Sequence, residues 1–201
     1  MNEQELFWKS GFGDEYVERN AGREYLAAKI DMFTKATNCL PKFESVIELG
    51  ANRGLNANAL KLLFPDINYT GVEIGDKAFS YLSSNVDVDH SIHCSIHEFE
   101  TEQKYDLVLI AGVLIHLNPG QLPSVYELVN KLSKKFVLFS EYYNPKPVEL
   151  DYRGHSGKLF KRDFAGEYMH KYHAKLVDYG FVYSGDPKYK HDDMTWFAME
   201  V

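Results

Sequence analysis

Short apolar runs rich in Val, Ile and Leu alternate with helical segments along most of this 201-residue chain. The clearest runs, at 45–49, 68–74 and 105–110, have the length and composition of buried strands. Between them apolar residues recur at helical spacing, and the helix predicted at 55–64 ends at Pro65. Strands that alternate with helices form a mostly parallel sheet covered on both faces. The chain is therefore expected to adopt an α/β fold.

The remaining predicted elements extend this sheet. Strands are expected at 87–92, 135–140, 175–183 and 195–201, and helices at 22–40, 76–83, 122–132 and 163–172. The last two strands are joined by a loop without a helix, so they must pair antiparallel. In open α/β sheets ligands bind outside the carboxyl ends of the strands, which makes the residues after each strand the candidates for function.

Composition and charge exclude several classes of protein. With 22 basic and 29 acidic residues the net charge is −7, which is unlike the basic surface of a nucleic-acid-binding protein. No apolar run approaches the roughly 18 residues of a membrane span, and the N-terminus has no signal-peptide pattern. Cys39 and Cys94 are too far apart for a thiolate zinc motif. We expect a cytoplasmic protein without nucleic-acid, membrane or metal partners, and the sequence leaves its oligomeric state open.

Two strand ends carry the strongest functional pattern. The segment ELGANRG, from Glu48 to Gly54, is a turn in which Gly50 and Gly54 allow the backbone to approach a ligand closely. A dinucleotide-binding loop would have a glycine at Asn52, and a carboxylate at Glu48 would repel pyrophosphate. Glu73 ends the second strand 19 residues after Gly54, close to the roughly 20-residue spacing of an acid that binds a ribose diol.

This combination resembles the class I S-adenosylmethionine-dependent methyltransferases. ELGANRG is similar to their E/D-x-G-x-x-x-G loop, VEIG to their ribose-binding strand end, and YDLVLIAGVLIHLNP to their fourth strand and the loop after it. FWKSGFGDEYVERN, EYYNPKPVELDYRGHSGKLFKRDFAGE and DDMTWF resemble the pseudaminic acid biosynthesis-associated methylases, so the likeness covers nearly the whole chain. It implies a Rossmann-like, doubly wound sheet of seven strands with an antiparallel C-terminal hairpin.

The resemblance also implies a cofactor and its binding residues. The cofactor is S-adenosylmethionine and the product S-adenosylhomocysteine. Glu73 would bind the two ribose hydroxyls, Ile74 would lie against the adenine, and Ser95 and Ile96 would cradle the adenine edge. The residues implied for the methionine and sulfonium are Glu48, Gly50, Ala51, Asn52, Gly54, Ala111, Gly112 and His116.

Methyl transfer to an amine or hydroxyl needs a base, and histidine is the natural candidate because its pKa lies near neutrality. His116, after the fourth strand, and His155, after the fifth, are the candidate catalytic residues. A helix-start histidine with a structural hydrogen bond is the alternative for His116, and an exposed loop histidine is the alternative for His155. His90, His93 and His97 have metal-ligand spacing only for a helix, whereas a strand and loop are expected there; His170, His173 and His191 are predicted to lie at the surface.

Two segments are assigned to acceptor binding and closure. Residues 1–40 are predicted to be a helical lid or cap on a cofactor-binding domain at 41–201, in which 141–162 is an acceptor-binding insertion. Arginines suit carboxylates and phosphates, which favours an anionic acceptor. The alternative is that Arg153 and Arg162 pair with Glu149 and Asp163. The predicted acceptor-binding residues are Tyr16, Arg19, Glu141, Tyr143, Tyr152, Arg153 and Arg162.

The predicted function is methyl transfer from S-adenosylmethionine to an oxygen or nitrogen of a small acceptor, such as a sialic-acid-like or nucleotide-linked sugar. The alternative is a cofactor-binding module that does no chemistry and serves a partner enzyme as a scaffold or regulator. A nucleic-acid methyltransferase is disfavoured, because Asn118-Pro119-Gly120 lies too far beyond the fourth strand and the net charge is negative.

Overall fold

The computed structural model describes residues 1–9, 11–19 and 22–201, with only the backbone described at Arg19. The strands are β1 (Ser45–Leu49), β2 (Asn68–Glu73), β3 (His90–His93), β4 (Tyr105–Ala111), β5 (Ser133–Glu141), β6 (Val148–Tyr152), β7 (His155–Lys161), β8 (Lys175–Val182) and β9 (Met194–Glu200). The helices are α1 (Glu3–Lys9), α2 (Gly11–Arg19), α3 (Arg23–Thr37), α4 (Leu55–Leu63), α5 (Asp76–Asn85), α6 (Leu122–Leu132) and α7 (Phe164–Tyr172). Two 3₁₀ turns, Leu114–His116 and Pro119–Gln121, follow β4.

Seven of the strands form one sheet in the order β3-β2-β1-β4-β5-β9-β8. Strands β1 to β5 pair in parallel, whereas β9 is antiparallel to both β5 and β8. The predicted α/β architecture, with its C-terminal hairpin, is confirmed. Chain order reverses between β1 and β4, so the loops after these two strands open a crevice at the switch point of the sheet.

The sheet is buried on both faces. Its central strands read as nearly continuous apolar runs, as expected for parallel strands covered by helices on each side. Leu60 of α4 and Phe33 of α3 pack on one face, and Val129 of α6 and Tyr168 of α7 pack on the other. This packing fixes the carboxyl ends of β1, β2, β4 and β5 as one rigid edge.

The structure adds detail to three of the predicted segments. The predicted N-terminal helical segment consists of two short helices before α3, and the strand predicted at 87–92 is His90–His93. The predicted insertion at 141–162 is largely a separate two-stranded hairpin, β6–β7. Arg153 and Gly154 turn this hairpin with positive φ angles of 52° and 85°. No helix among the described residues has the length and hydropathy needed to cross a membrane.

Candidate active site

A cavity of about 440 Å³ lies at the carboxyl ends of the parallel strands. Its walls come from the loops after β1, β2, β3 and β4, from the β6–β7 turn and from the segment before β9. Helices α1 and α2 contribute further lining residues, among them Trp8 and Tyr16. A cavity of this size is typical of a small-molecule site.

The loop after β1 requires its glycine at position 50. Gly50 has a φ of 83°, in the left-handed region, and a Cβ there would lie 2.5 Å from Val113 Cγ2. The N–H groups of Gly50 and Ala51 both donate to the carbonyl of Val72 at 2.9 Å. The backbone therefore turns tightly against β2 and forms a wall of the cavity at Gly50, Ala51 and Asn52.

Glu73 lies in the cavity wall at the end of β2, as predicted. Its Oε2 accepts a hydrogen bond from the Asn52 N–H at 2.7 Å, and its Oε1 accepts one from the Gly75 N–H at 2.6 Å. Burial raises the pKa of Glu73, while these backbone bonds oppose the increase. Each carboxylate oxygen retains a lone pair, so the group can accept hydroxyl hydrogen bonds from a ligand.

Two residues predicted to surround the methionine lie behind the cavity wall. Glu48 is completely buried and accepts hydrogen bonds from Tyr69 Oη at 2.5 Å and Asn56 Nδ2 at 2.6 Å. Burial raises its pKa to about 7. Gly54 precedes α4 with a φ of 77°, and a Cβ there would lie 2.7 Å from Leu82 Cδ1. Hydrogen bonds hold the Glu48 side chain, and close packing surrounds Gly54. Both residues therefore support the loop and do not form part of the cavity wall.

His116 lines the cavity as a neutral imidazole. Its Nδ1 lies 2.7 Å from the carbonyl oxygen of Lys158, and because a carbonyl only accepts, Nδ1 carries the proton. Burial lowers the pKa of His116 to about 4, so Nε2 keeps its lone pair at physiological pH. The ring centroid lies 4.5 Å from that of Trp8 and 5.0 Å from that of Tyr152.

His155, the other candidate catalytic residue, is not among the residues that line the cavity. It is exposed at the start of β7, and its ring packs against Phe7 and Phe12 with centroid distances of 5.1 Å and 5.8 Å. Of the two candidate histidines, the structure thus brings His116 to the cavity wall.

Only some of the predicted acceptor-binding residues line the cavity. Tyr16, Tyr152 and Arg153 line the cavity, whereas the side chain of Arg19 is outside the described part of the chain. The residues placed elsewhere are Glu141, Tyr143 and Arg162.

Each of these three has a different partner. Glu141 is buried beneath the 3₁₀ turn and accepts backbone N–H groups. Arg162 pairs with Glu167, not with the neighbouring Asp163, through Nε at 2.6 Å and Nη2 at 2.5 Å. Tyr143 packs against Phe197 with a centroid distance of 5.9 Å. These bonds and contacts hold all three side chains away from the cavity.

Helices α1 and α2 are attached to both ends of the cavity. Ser95 Oγ donates to Glu5, and Arg53 Nη1 donates to the carbonyl of Val17 at 2.9 Å. On the hairpin side, Lys158 Nζ pairs with Glu3 at 2.6 Å. The two helices therefore bridge the loop after β3 and the β6–β7 hairpin across the cavity.

Sequence reasoning missed the wall formed by α3 and the segment before β9. Lys29 belongs to α3, and His191 and Asp192 precede β9. His191, predicted to be a surface residue, is partly buried; its Nδ1 lies 3.0 Å from the Asp192 carbonyl, and burial lowers its pKa to about 4. The signal lay in the topology: because β9 is antiparallel to β5, its amino end reaches the edge where the parallel strands end.

Comparison with known proteins identifies the fold. No family model matches the sequence, and no curated protein matches it. Among solved structures, a methyltransferase from Leishmania major described as S-adenosylmethionine-dependent is 14% identical over 98% of this chain and 81% of that chain, with a TM-score of 0.75. A Burkholderia thailandensis 1,6-didemethyltoxoflavin-N1-methyltransferase, solved with that compound and S-adenosylhomocysteine bound, is 15% identical over 97% of this chain and 87% of that chain, with a TM-score of 0.74.

A third structure, the Synechocystis magnesium protoporphyrin IX methyltransferase with bound S-adenosylhomocysteine, is 11% identical over 98% of this chain and 99% of that chain. Its TM-score is 0.70. The protein therefore has the Rossmann-like fold of the class I S-adenosylmethionine-dependent methyltransferases, as the glycine loop and Glu73 had indicated.

Proposed function

We propose that this protein is an enzyme that transfers a methyl group from S-adenosylmethionine to a small acceptor. The observation that carries the proposal is the Glu73 carboxylate in the wall of the cavity, beside the tight glycine loop. Space for a ligand lies against the loop after β4, since no heavy atom is within 4 Å of a Cβ built at Gly112. Bound S-adenosylhomocysteine in two of the structural neighbours supports the same cofactor.

Different residues of the cavity wall would bind different parts of the cofactor. Glu73 would accept hydrogen bonds from the ribose hydroxyls. The adenine would be enclosed by Ile74, Ser95 and Ile96. Gly50, Ala51, Asn52, Ala111 and Gly112 form the stretch of wall that would face the methionine and sulfonium. The cofactor supplies a methyl group that is already strongly electrophilic. The protein therefore has mainly to orient the two reactants and exclude water, and orientation alone can supply about 7–11 kcal/mol.

His116 is the residue we assign to the acceptor. Its Nε2 lone pair can accept a hydrogen bond from an acceptor hydroxyl or amine and orient that group for attack. Its lowered pKa keeps the ring neutral across the physiological range. Of the two candidate histidines, it alone lies in the cavity.

We further propose a small, anionic acceptor, such as a sialic-acid-like or nucleotide-linked sugar in a cytoplasmic biosynthetic pathway. Arg153 in the cavity wall supports an anionic acceptor, because a guanidinium group suits carboxylates and phosphates. Tyr16 and Tyr152 offer hydroxyl groups for a polyhydroxylated ligand. The resemblance of the 141–162 segment to the pseudaminic acid biosynthesis-associated methylases supports a sugar.

Calorimetric titration tests the cofactor site. Wild-type protein is expected to bind S-adenosylmethionine and S-adenosylhomocysteine, and Glu73→Ala to bind both at least about tenfold more weakly, because a hydrogen bond to a charged group contributes about 1.5–3 kcal/mol. The exposed carboxylate of Asp87 provides the matched control, since Asp87→Ala should leave both affinities unchanged. Equal affinity in wild type and Glu73→Ala would rule out the ribose assignment. Binding without turnover on any sugar acceptor would favour the scaffold alternative.

Hydrogen exchange tests whether α1 and α2 act as a lid. Both helices line the cavity, and the Glu5–Ser95 hydrogen bond ties α1 to the loop after β3. Addition of S-adenosylhomocysteine should therefore slow amide exchange in 3–9 and 11–19, whereas α7, on the far side of the sheet, should exchange as before. Unchanged exchange in the N-terminal helices would leave them as a fixed cap.

A further inference from the structure

The C-terminal hairpin β8–β9 is covered by a helix on one face only. On that face α3 packs against both strands, and Trp196 and Ala198 of β9 are buried there. On the opposite face α7, which directly precedes β8 in the chain, packs against β5. Strand β8 ends the sheet, and among the described residues it packs extensively only against β9 and α3. One face of β8 is therefore left to solvent.

Large apolar side chains occupy this uncovered face. Phe197 lies between the two buried residues of β9 and so faces the uncovered side, because side chains alternate along a strand. Its partner on β8 is Tyr179, whose ring stacks on it at a centroid distance of 6.2 Å. Alternation along β8 adds Phe181 and Tyr183, whose rings lie 6.4 Å apart. We call the side chains of this face the aromatic patch, which consists of Tyr143, Leu176, Tyr179, Phe181, Tyr183 and Phe197.

The exposed area of the aromatic patch is close to what a dimer of this chain needs. Tyr179, Phe181 and Tyr183 are 63%, 61% and 61% exposed. Tyr143 and Leu176 are 43% and 45% exposed. Because a large side chain of this kind carries roughly 200 Å² of surface, the patch exposes roughly 500 Å². Two copies that cover each other's patch would bury roughly 1,000 Å², which reaches the lower bound for a specific interface.

The charge distribution favours a second copy over another partner. Residues 179–183 contain no charged side chain, although the chain carries a net charge of −7. Asp178, the adjacent charge on β8, pairs with Ala198 and so points to the opposite face. Two acidic molecules can therefore meet at this patch without like charges in contact, whereas an uncharged patch offers no complementary potential to a partner of opposite sign. The cores of protein interfaces are likewise rich in aromatic residues and depleted in Lys, Glu and Asp.

We propose that the aromatic patch is the interface of a homodimer, in which two copies of this chain pack their β8–β9 faces against each other about a twofold axis. A twofold axis brings the same surface of both copies together, so one patch serves both sides. Facing sheets pack about 10 Å apart with interdigitating side chains, and the tyrosine hydroxyls can remain in water at the rim. No residue of the patch lines the cavity, so this inference does not depend on the proposed function.

Sedimentation equilibrium at micromolar to submillimolar concentrations tests the dimer. Wild type should show a reversible equilibrium between monomer and dimer. Phe181→Lys places a charge in the patch and should raise the dissociation constant at least about tenfold. Tyr183→Lys should have the same effect, and because residue 183 follows β8 it leaves the strand pairing intact. The matched control is Leu62→Lys on α4, since Leu62 is 63% exposed and lies outside the patch, and it should leave the dissociation constant unchanged.

Thermal melting below the dissociation constant, where every protein is monomeric, checks the fold, and all three variants should melt as wild type does. A dimer that both patch variants leave intact would place the interface elsewhere and overturn the proposal. Wild-type protein that stays monomeric at every concentration would overturn it too. In that case, binding of the monomer to phosphatidylcholine vesicles would assign the patch to a membrane surface instead.

Discussion

Replacement of Glu141 by Ala is expected to lower the free energy of unfolding by about 3 kcal/mol, because several buried backbone donors lose their acceptor. The Glu141 carboxylate accepts the N–H groups of Val113 and Leu114 at 3.0 Å and of Ile115 at 3.3 Å. These groups begin the 3₁₀ turn that carries His116 into the cavity. Urea unfolding followed by circular dichroism measures the loss. A loss below about 1 kcal/mol would show that the turn finds other acceptors.

The Glu141→Gln variant distinguishes the contribution of the hydrogen bonds to stability from that of the charge. Glutamine keeps an acceptor oxygen in a side chain of the same shape, so its loss at pH 5 should be smaller than that of alanine. Burial raises the pKa of Glu141 from 4.5 to about 7. A raised pKa stabilises the protein below the unfolded-state value, and this contribution is lost as pH rises from about 4.5 through 7.

The difference between the glutamine variant and wild type isolates that contribution, since Glu48 and His116 titrate in both proteins. The stability of Glu141→Gln relative to wild type should therefore increase by roughly 3 kcal/mol between pH 4.5 and 7.5. Urea unfolding at several pH values measures the difference. A difference that does not change with pH would show that Glu141 is ionised throughout this range.

The sheet was predictable because its strands are nearly uniform in pattern. Runs such as 105–110 are buried on both faces, and their apolar composition does not depend on which helix covers them. The β6–β7 hairpin was missed for the opposite reason. Val148 and Leu150 are exposed and the strand alternates with charged residues, so a short, solvent-facing hairpin has the composition of a loop.

The part of the cavity wall that local motifs form was predictable, and the part formed by α3 and the segment before β9 was not. Glu73 and the glycine loop follow their strands directly, so a local motif identifies them. Glu48 and Glu141 occupy equivalent strand-end positions, yet their side chains turn inward to buried hydrogen-bond donors. Lys29 and Asp192 belong to no motif, because they reach the same cavity wall only through the packing of α3 and the antiparallel insertion of β9.

Gly50→Ala is expected to be among the most damaging substitutions in the cavity wall. At a φ of 83° an alanine is strained by roughly 1–2 kcal/mol, and its Cβ would lie 2.5 Å from Val113 Cγ2. The loop must move away from Val113 to relieve this overlap. Because the same loop forms the cavity wall and donates the Asn52 N–H to Glu73, we expect at least about a tenfold loss of S-adenosylhomocysteine affinity together with about 3 kcal/mol of stability.

Two comparisons separate strain from overlap. Gly154 has a similar φ of 85°, and no heavy atom lies within 4 Å of a Cβ built there. Gly154→Ala should therefore lower the free energy of unfolding by only about 1 kcal/mol and leave the S-adenosylhomocysteine affinity unchanged. Gly50→Ala combined with Val113→Ala removes the overlapping methyl groups and should recover part of the lost affinity, as calorimetry would measure. If the double variant binds no better than Gly50→Ala, the left-handed turn itself, and not its contact with Val113, holds the loop against the cofactor.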